Sequence, residues 1–278
     1  MQKRILIAGC GRIGRRLGRQ WHEHGARVWG LRRSDGPLPA PLETLHGDLT
    51  RPSTLPTPPA DLDVVYYLAT PGAFNDAAYR LTYVEGLRNL IAWLPAEAGS
   101  RVVFVSSSAV YGQTAGEWVD ETSPTEPNGF SGRRMLQAER LALAAGGTAV
   151  RFGGIYGPGR GRMLDKVRRG EPCTAEPPRY TNRIHETDCV GVLAHVAALS
   201  KPADIYLAVD DAPCSQCELM DFLADRLGCP RPARVAGDPT DARGSNKRCR
   251  NRRLKASGYR LRYPSYREGY AEMIAGER

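Results

Sequence analysis

The chain has 278 residues, a formal net charge of +9 and seven scattered cysteines. That length buries a sizeable core without metal or disulfide staples, and an odd cysteine count does not read as a disulfide framework. No apolar run reaches the length of a bilayer span and no signal-peptide pattern precedes the first apolar segment, so a cytoplasmic globular protein is expected, its basic balance suited to an anionic small molecule as well as to nucleic acid.

Residues Lys3–Gly18 (KRILIAGCGRIGRRLG) read as strand, turn and helix. Ile5–Ala8 is an apolar run long enough for one buried strand. Gly9, Gly11 and Gly14 follow with G-x-G-x-x-G spacing, and Ile13, Leu17 and Trp21 recur at helical intervals. In that context the motif points to a dinucleotide. Gly9 makes the tight turn, Gly11 lets backbone approach a pyrophosphate, and Gly14 brings the helix close to the strand. The helix N-terminus offers unpaired N–H groups to the anion. The bland alternative is a βα turn that is merely glycine-rich.

Arg27–Leu31 reads as the second strand. A fold that prefers NAD ends this strand with an acid for the ribose 2′-hydroxyl. Here Arg32 and Arg33 follow, and the first acid is Asp35. An arginine pairs well with a 2′-phosphate, so NADP is favoured over NAD, unless both arginines are simply solvated. Arg12 in the glycine turn adds a second phosphate contact. Pro37–Pro41 and Pro52–Pro59 read as loops. In Leu45–Leu49 (LHGDL), Asp48 is placed to accept from an adenine amino group. Asp61–Ala69 is a further strand, with Ala69–Gly72 a tight loop at its carboxyl end, where ligands sit in open α/β sheets. Ala77–Leu94 carries a helical pattern that stops at Pro95, and Arg101–Val105 is a strand running into Ser106–Ser108.

Here VVFV followed by SSSAVYG resembles the extended short-chain dehydrogenase/reductase family, also called the NAD-dependent epimerase/dehydratase family. HGDL, VVYYLA, the VRFGGIYGPG of Val150–Gly159, the RIHETD of Arg183–Asp188, the DIYLAVDDAP of Asp204–Pro213 and the CRNRRLKASGY of Cys249–Tyr259 resemble its later segments, in family order. The resemblance implies an α/β fold: a doubly wound parallel sheet of the Rossmann type with a smaller C-terminal α/β substrate lobe. It implies a dinucleotide-binding domain over 1–156 and a substrate lobe over 157–278, with a strand near 205–209 returning to the main sheet. Gly9, Gly11, Arg12, Ile13, Gly14, Arg32, Asp48, Leu49 and Ala69 are then the cofactor contacts. Ser107 is the hydroxyl that meets the substrate, and Tyr111 is structural.

One departure matters. The family works with Tyr-x-x-x-Lys, the lysine tuning a tyrosine that serves as acid or base. The matching stretch, Pro127–Glu139 (PNGFSGRRMLQAE), holds neither residue. Aligned on Phe130 the lysine position is Arg134; aligned on Ser131 it is Met135. Arginine cannot be deprotonated, though it can still contact ribose or phosphate. The pattern resembles an atypical branch in which the pair is lost. Three explanations stay open: a substitute acid or base among Tyr156, His185 and Ser107; hydride transfer with water closing the proton path; or NADP binding without turnover.

On the substrate side, Gly157–Gly170 carries Arg160, Arg162, Lys166, Arg168 and Arg169, either a phosphate contact or a solvated basic face. Asp188 is expected to cap the helix Val190–Leu199 or bind Arg183, and His185 to be a packed structural histidine. Cys214–Cys217 is a lone C-x-x-C and not a zinc site; Ser215 as cap of the helix Glu218–Leu227 suffices. The basic tail Arg243–Lys255 would suggest nucleic acid, but no aromatic interleaves it, and it matches the family's terminal segment, with Asn251 and Leu254 packed. Nucleic acid is therefore not the expected partner. The expected function is an NADP-dependent oxidoreductase or epimerase/dehydratase-like protein acting on a small hydroxylated or nucleotide-linked substrate, with no metal and no membrane. The alternative is a non-catalytic NADP-binding sensor or scaffold. By resemblance, pairing through Ala77–Leu94 and Met135–Ala145 would make a homodimer.

Overall fold

The computed structural model describes residues 2–95, 99–237 and 245–277; Arg243 and Gly244 of the basic tail lie outside them. Seven strands form one parallel sheet: β1 (Arg4–Ala8), β2 (Arg27–Arg32), β3 (Glu43–His46), β4 (Val64–Tyr67), β5 (Arg101–Ser107), β6 (Thr148–Phe152) and β7 (Ile205–Ala208). Their spatial order is β7-β6-β5-β4-β1-β2-β3. The helices are α1 (Arg12–Glu23), α2 (Asp76–Tyr79), α3 (Gly86–Trp93), α4 (Phe130–Ala144), α5 (Arg162–Arg168), α6 (Glu186–Ala198), α7 (Gln216–Leu227), α8 (Arg252–Ala256) and α9 (Tyr266–Ala275).

The centre of the sheet explains its sequence. Ile5, Leu6, Ile7 and Ala8 are all fully buried, with Val28–Leu31 on one side and Val64–Tyr67 on the other in unbroken register. Both faces of a doubly wound sheet are covered, so its strands are continuous apolar runs and do not alternate. The chain leaves β1 towards β2 and β3, then returns to the far side of β1 for β4. That reversal opens a crevice at the carboxyl ends of β1 and β4.

The chain divides into two compact units that interleave along the sequence: residues 1–110, 129–151 and 190–206, and residues 111–128, 152–189 and 207–278. In the first unit, α1 lies close on the sheet because it presents glycines. A Cβ on Gly14 would sit 3.0 Å from Ile7 Cγ2, and one on Gly18 would sit 2.6 Å from Leu42 Cδ2. Trp21 donates to the Tyr66 hydroxyl at 2.9 Å, which donates in turn to the Leu193 carbonyl, so that α1, β4 and α6 are joined. The apolar pattern over 77–94 is not one regular helix. A π-helical stretch, Arg80–Glu85, separates α2 from α3.

β5, α4 and β6 are fastened by a buried ionic cluster. Arg151 donates from Nε and Nη2 to both Glu139 oxygens, at 2.8 and 2.7 Å, and Ser106 Oγ donates to Glu139 Oε1 at 2.5 Å. The two charged side chains are 3% and 1% exposed. A desolvated pair of this kind holds because both forks are engaged.

The second unit is built on α7 and α9 around Tyr156, Leu164, Leu219, Leu223, Tyr266 and Tyr270, with short strand pairs at its margins. Ser215 caps α7 by accepting from the Glu218 amide, as expected, and Ser265 with Glu268 forms a capping box on α9. Cys217 is joined to Cys173 in a disulfide, against the expectation from cysteine spacing. The partners stand 44 residues apart and meet only because the strand Cys173–Glu176 packs on α7. Cys214 remains a buried thiol.

Removing one partner of the Arg151–Glu139 pair strands the other charge in the core. Glu139→Ala is expected to destabilise the protein by about 3–5 kcal/mol in a urea unfolding titration. A loss below about 1 kcal/mol would mean that the cluster is hydrated or replaceable.

Candidate functional site

The glycine turn has the geometry a dinucleotide requires. Gly9 sits at φ +85°, and a Cβ there would fall 2.5 Å from Ala69 Cα, so only glycine lets the turn lie on the loop after β4. The Gly9 and Cys10 amides donate to the Leu31 carbonyl, which pins the turn to β2. Gly11 is different: it is exposed, and a Cβ would meet nothing nearer than the Gly9 carbonyl at 4.0 Å. That open space above the backbone is what a pyrophosphate needs. Gly11 is also the N-cap of α1, which has no side-chain cap and no acid in its first turn. The N–H groups of Arg12, Ile13 and Gly14 thus begin a twelve-residue helix with no acid in its first turn. Burial pushes the Cys10 thiol up to about 11 although Arg15 and Arg32 oppose it, so it contributes no thiolate.

The parallel sheet brings the other expected contacts to the same edge. Arg32 ends β2, Asp48 and Leu49 follow β3, and Ala69 follows β4. Arg32 donates from Nε and Nη2 to Ser34 Oγ, at 2.8 and 2.5 Å, and Arg33 reaches Gly72, its Nη2 3.6 Å from where a Cβ would be. Two guanidinium groups therefore stand at the end of β2 and just beyond it. Asp48 accepts from the Thr50 amide and hydroxyl through one oxygen. Burial pushes its carboxyl up, but the Thr50 hydrogen bonds, with Arg33 and Arg51 behind them, hold it below its ordinary value. Asp48 is thus an ionised acceptor. Leu49 is buried, and its carbonyl accepts from Asn89.

Ser107 ends β5 on this edge, half-buried, its Oγ accepting from the Ala109 amide at 3.1 Å. Among the described residues its proton has no acceptor. Tyr111 is fully buried and donates to the Asp120 carbonyl, a structural role. Along α4, Phe130 packs against Phe74 and Tyr79 with ring centroids 5.1 and 5.3 Å apart. Arg134 places Nε and Nη2 on the two Asp76 oxygens, at 2.8 and 2.7 Å. Met135 is buried.

In the second unit, Tyr156 and His185 are core residues. Tyr156 is 1% exposed, stacks on Tyr270 at 4.4 Å and donates to the Ser265 carbonyl; burial raises its phenol well above the ordinary range. His185 Nδ1 accepts from the Thr187 amide, and its ring lies 4.0 Å from that of Tyr263. Asp188 does not bind Arg183; it accepts from the Tyr259 hydroxyl and the Arg262 and Tyr263 amides, which ties α6 to the C-terminal segment. The basic stretch after Gly157 is largely neutralised: Lys166 and Arg169 pair with Glu171, and Arg168 with Asp165 and Glu277. Asn251 and Leu254 are packed, Asn251 donating to the Val209 carbonyl and to Asp211. Among the described residues no cluster could hold a metal.

Two buried ionisable side chains carry no signal in the sequence. Asp210, two residues past β7, is 2% exposed; Oδ1 accepts from the Ala212 amide while Oδ2 has no hydrogen-bond partner. Burial pushes its carboxyl up to about 8, against Ala212 and Arg183, and Asp211 and Glu268 add to the rise. Lys247 is 4% exposed, its ammonium on the Tyr111 carbonyl and Ser245 Oγ, and burial lowers its pKa. A single acid in DDAP or a single lysine in a basic run carries no local signal of burial.

Comparison with known proteins gives the family. The model of the NAD dependent epimerase/dehydratase family matches residues 5–176. A Methylobacillus flagellatus structure, described as of the NAD-dependent epimerase/dehydratase type, is 40% identical, with 100% of both chains covered and a TM-score of 0.84. MoeE5 in complex with UDP-glucose and NAD is 27% identical over 99% of this chain and 98% of that one, with a TM-score of 0.79. The 3-diazoavenalumate denitrifying reductase of a Streptomyces species is 29% identical over 96% of this chain and 98% of its own length.

The raised Asp210 carboxyl links stability to pH. Between its unfolded value near 3.8 and its folded value near 8, the folded state holds a proton that the unfolded state has lost, so stability falls as the pH rises. Asp210→Asn is expected to melt higher than the wild type at about pH 9, with the gap closing by about pH 4. A gap that does not change with pH would show that Asp210 is ionised throughout.

Proposed function

Because the chain belongs to the NAD-dependent epimerase/dehydratase family, we propose that it is an NADP-dependent oxidoreductase or epimerase/dehydratase-like enzyme for a small hydroxylated or nucleotide-linked substrate. The carrying observation is the shared carboxyl edge of β1–β4: an uncapped helix N-terminus above Gly11, and a second strand ending in Arg32 and Arg33 without an acid. Gly9, Gly11, Arg12, Ile13 and Gly14 would hold the pyrophosphate, Arg32 the 2′-phosphate, and Asp48 and Leu49 the adenine, with Ala69 flooring the turn. The bound dinucleotide supplies hydride transfer. Arg32 is held by a neutral hydroxyl and not by a carboxylate, so its charge remains available to an anion.

Ser107 meets the substrate, donating the hydroxyl proton that no described protein group accepts. The UDP-glucose held with NAD by MoeE5 supports a nucleotide-linked substrate, and the Streptomyces relative supports net reduction of a small molecule. The chain fits the atypical branch that lacks the Tyr/Lys pair. Phe130 lies in an aromatic cluster, and Arg134 spends both forks of its guanidinium on Asp76. That same observation favours a second reading, an NADP-binding sensor without turnover.

Binding of NADPH and NADH to the purified protein tests the cofactor. Arg32→Ala is expected to weaken NADPH about tenfold or more and leave NADH unchanged, the loss of one charge-assisted contact. Equal affinities in the wild type would contradict the assignment. Turnover separates the two readings: NADPH oxidation over a panel of nucleotide sugars, ketones and aldehydes, abolished by Ser107→Ala, identifies an enzyme. Tight binding with no oxidation anywhere in the panel identifies a sensor.

A further inference from the structure

The basic tail acquires in space the aromatic rings it lacks in sequence. The strand Lys247–Cys249 pairs in parallel with Glu117–Val119, Arg248 opposite Trp118. Side chains alternate along it: Lys247 and Cys249 point inward and are buried, while Arg248 and Arg250 lie on the outer face. There they form a row. Arg248 lies 4.7 Å from the ring centre of Tyr180 and 4.9 Å from that of Trp118, and Arg250 lies 4.6 Å from Trp118 on the same strand face.

Three features separate this row from ordinary surface charge. First, among the described residues neither Arg248 nor Arg250 has an acidic partner, and both guanidinium groups lie over aromatic rings. Second, Trp118 keeps 43% of its surface exposed between two cations, an uncommon placement for so large an apolar group. Third, the platform is rigid. Asn182 clamps the strand by donating to the Lys247 carbonyl and accepting from the Cys249 amide, Asn246 accepts from the Tyr180 amide, and Arg248 Nε donates to the Gly116 carbonyl. The Tyr180 ring lies on Gly116, where a Cβ would be 2.8 Å away.

Guanidinium groups without a carboxylate partner, interleaved with π-faces, are the elements that hold single-stranded nucleic acid: cations for successive phosphates, rings for unstacked bases. We propose that Tyr180, Arg248, Trp118 and Arg250 form a binding strip for a short single-stranded nucleic acid. An acidic peptide would satisfy the arginines but leave the Trp118 face without a partner. The strip belongs entirely to the second unit.

The test is fluorescence anisotropy with a labelled oligothymidylate, at low salt and at physiological salt. The wild type is expected to bind with an affinity that falls steeply as salt rises. Trp118→Ala is expected to weaken binding about tenfold, the loss of one stacked base. Trp118→Phe, which keeps a ring, should retain most of it, and it guards against a folding defect in the alanine variant. The double variant Arg248→Gln/Arg250→Gln should lower the salt slope by about two phosphates. Failure of the wild type to bind at low salt would overturn the proposal. So would equal binding by folded Trp118→Ala, which reduces the strip to general charge, or tighter Trp118-dependent binding of polyglutamate, which makes the partner an acidic peptide.

Discussion

The contact between Gly9 and the backbone of Ala69 is the constraint on which the rest of the site depends. The two residues follow β1 and β4, the neighbouring strands between which the sheet reverses its order. With the left-handed turn of Gly9 seated on Ala69, the chain rises off β1 steeply enough for α1 to start at once, its first amides over the strand ends. A side chain at Gly9 would lift the turn off that loop and move the helix terminus with it. Arg32, Asp48 and Ser107 need no such device, because parallel strands deliver their carboxyl ends to one edge by topology alone.

The second constraint lies in the core of the first unit. Ser106 and Ser107 are neighbours on β5, so they face opposite ways, and they divide the labour. Ser106 turns inward and binds Glu139, which Arg151 neutralises; Ser107 is left at the edge with a proton to donate. The buried pair fixes α4 against the sheet and thereby fixes Phe130 and Arg134 at its start. There Phe130 packs in an aromatic cluster and Arg134 pairs with Asp76. The proposed cofactor contacts, set beside a Pro127–Glu139 stretch without tyrosine or lysine, are what divide the two proposed readings.

Much of the first unit was legible because its signals are local. An apolar run, a spaced glycine triplet and a helical repeat lie within eighteen residues, and the strand ends that carry Arg32, Asp48 and Ser107 are marked by the same change from apolar to polar. What escaped reading joins distant segments. The Glu139–Arg151 pair looks like two surface charges until α4 is laid on β6. The disulfide needs Cys173 and Cys217 to be brought across 44 residues. Asp188 looked free to meet Arg183, yet the tail supplies better donors in Tyr259, Arg262 and Tyr263. The arginines of the tail have no aromatic neighbours in sequence because Trp118 and Tyr180 come from elsewhere in the chain.

The central claim is that the open space over Gly11 receives a pyrophosphate. Gly11 has a negative φ of −80° in extended backbone, and a Cβ there meets no protein atom nearer than 4.0 Å. Gly11→Val therefore separates binding from folding. Titration calorimetry with NADPH on the wild type and on Gly11→Val is the most direct measurement. The predicted result is a variant that still unfolds cooperatively, its melting temperature lowered only by the loss of the N-cap glycine, and that loses the binding isotherm. A variant that binds NADPH as the wild type does would contradict it.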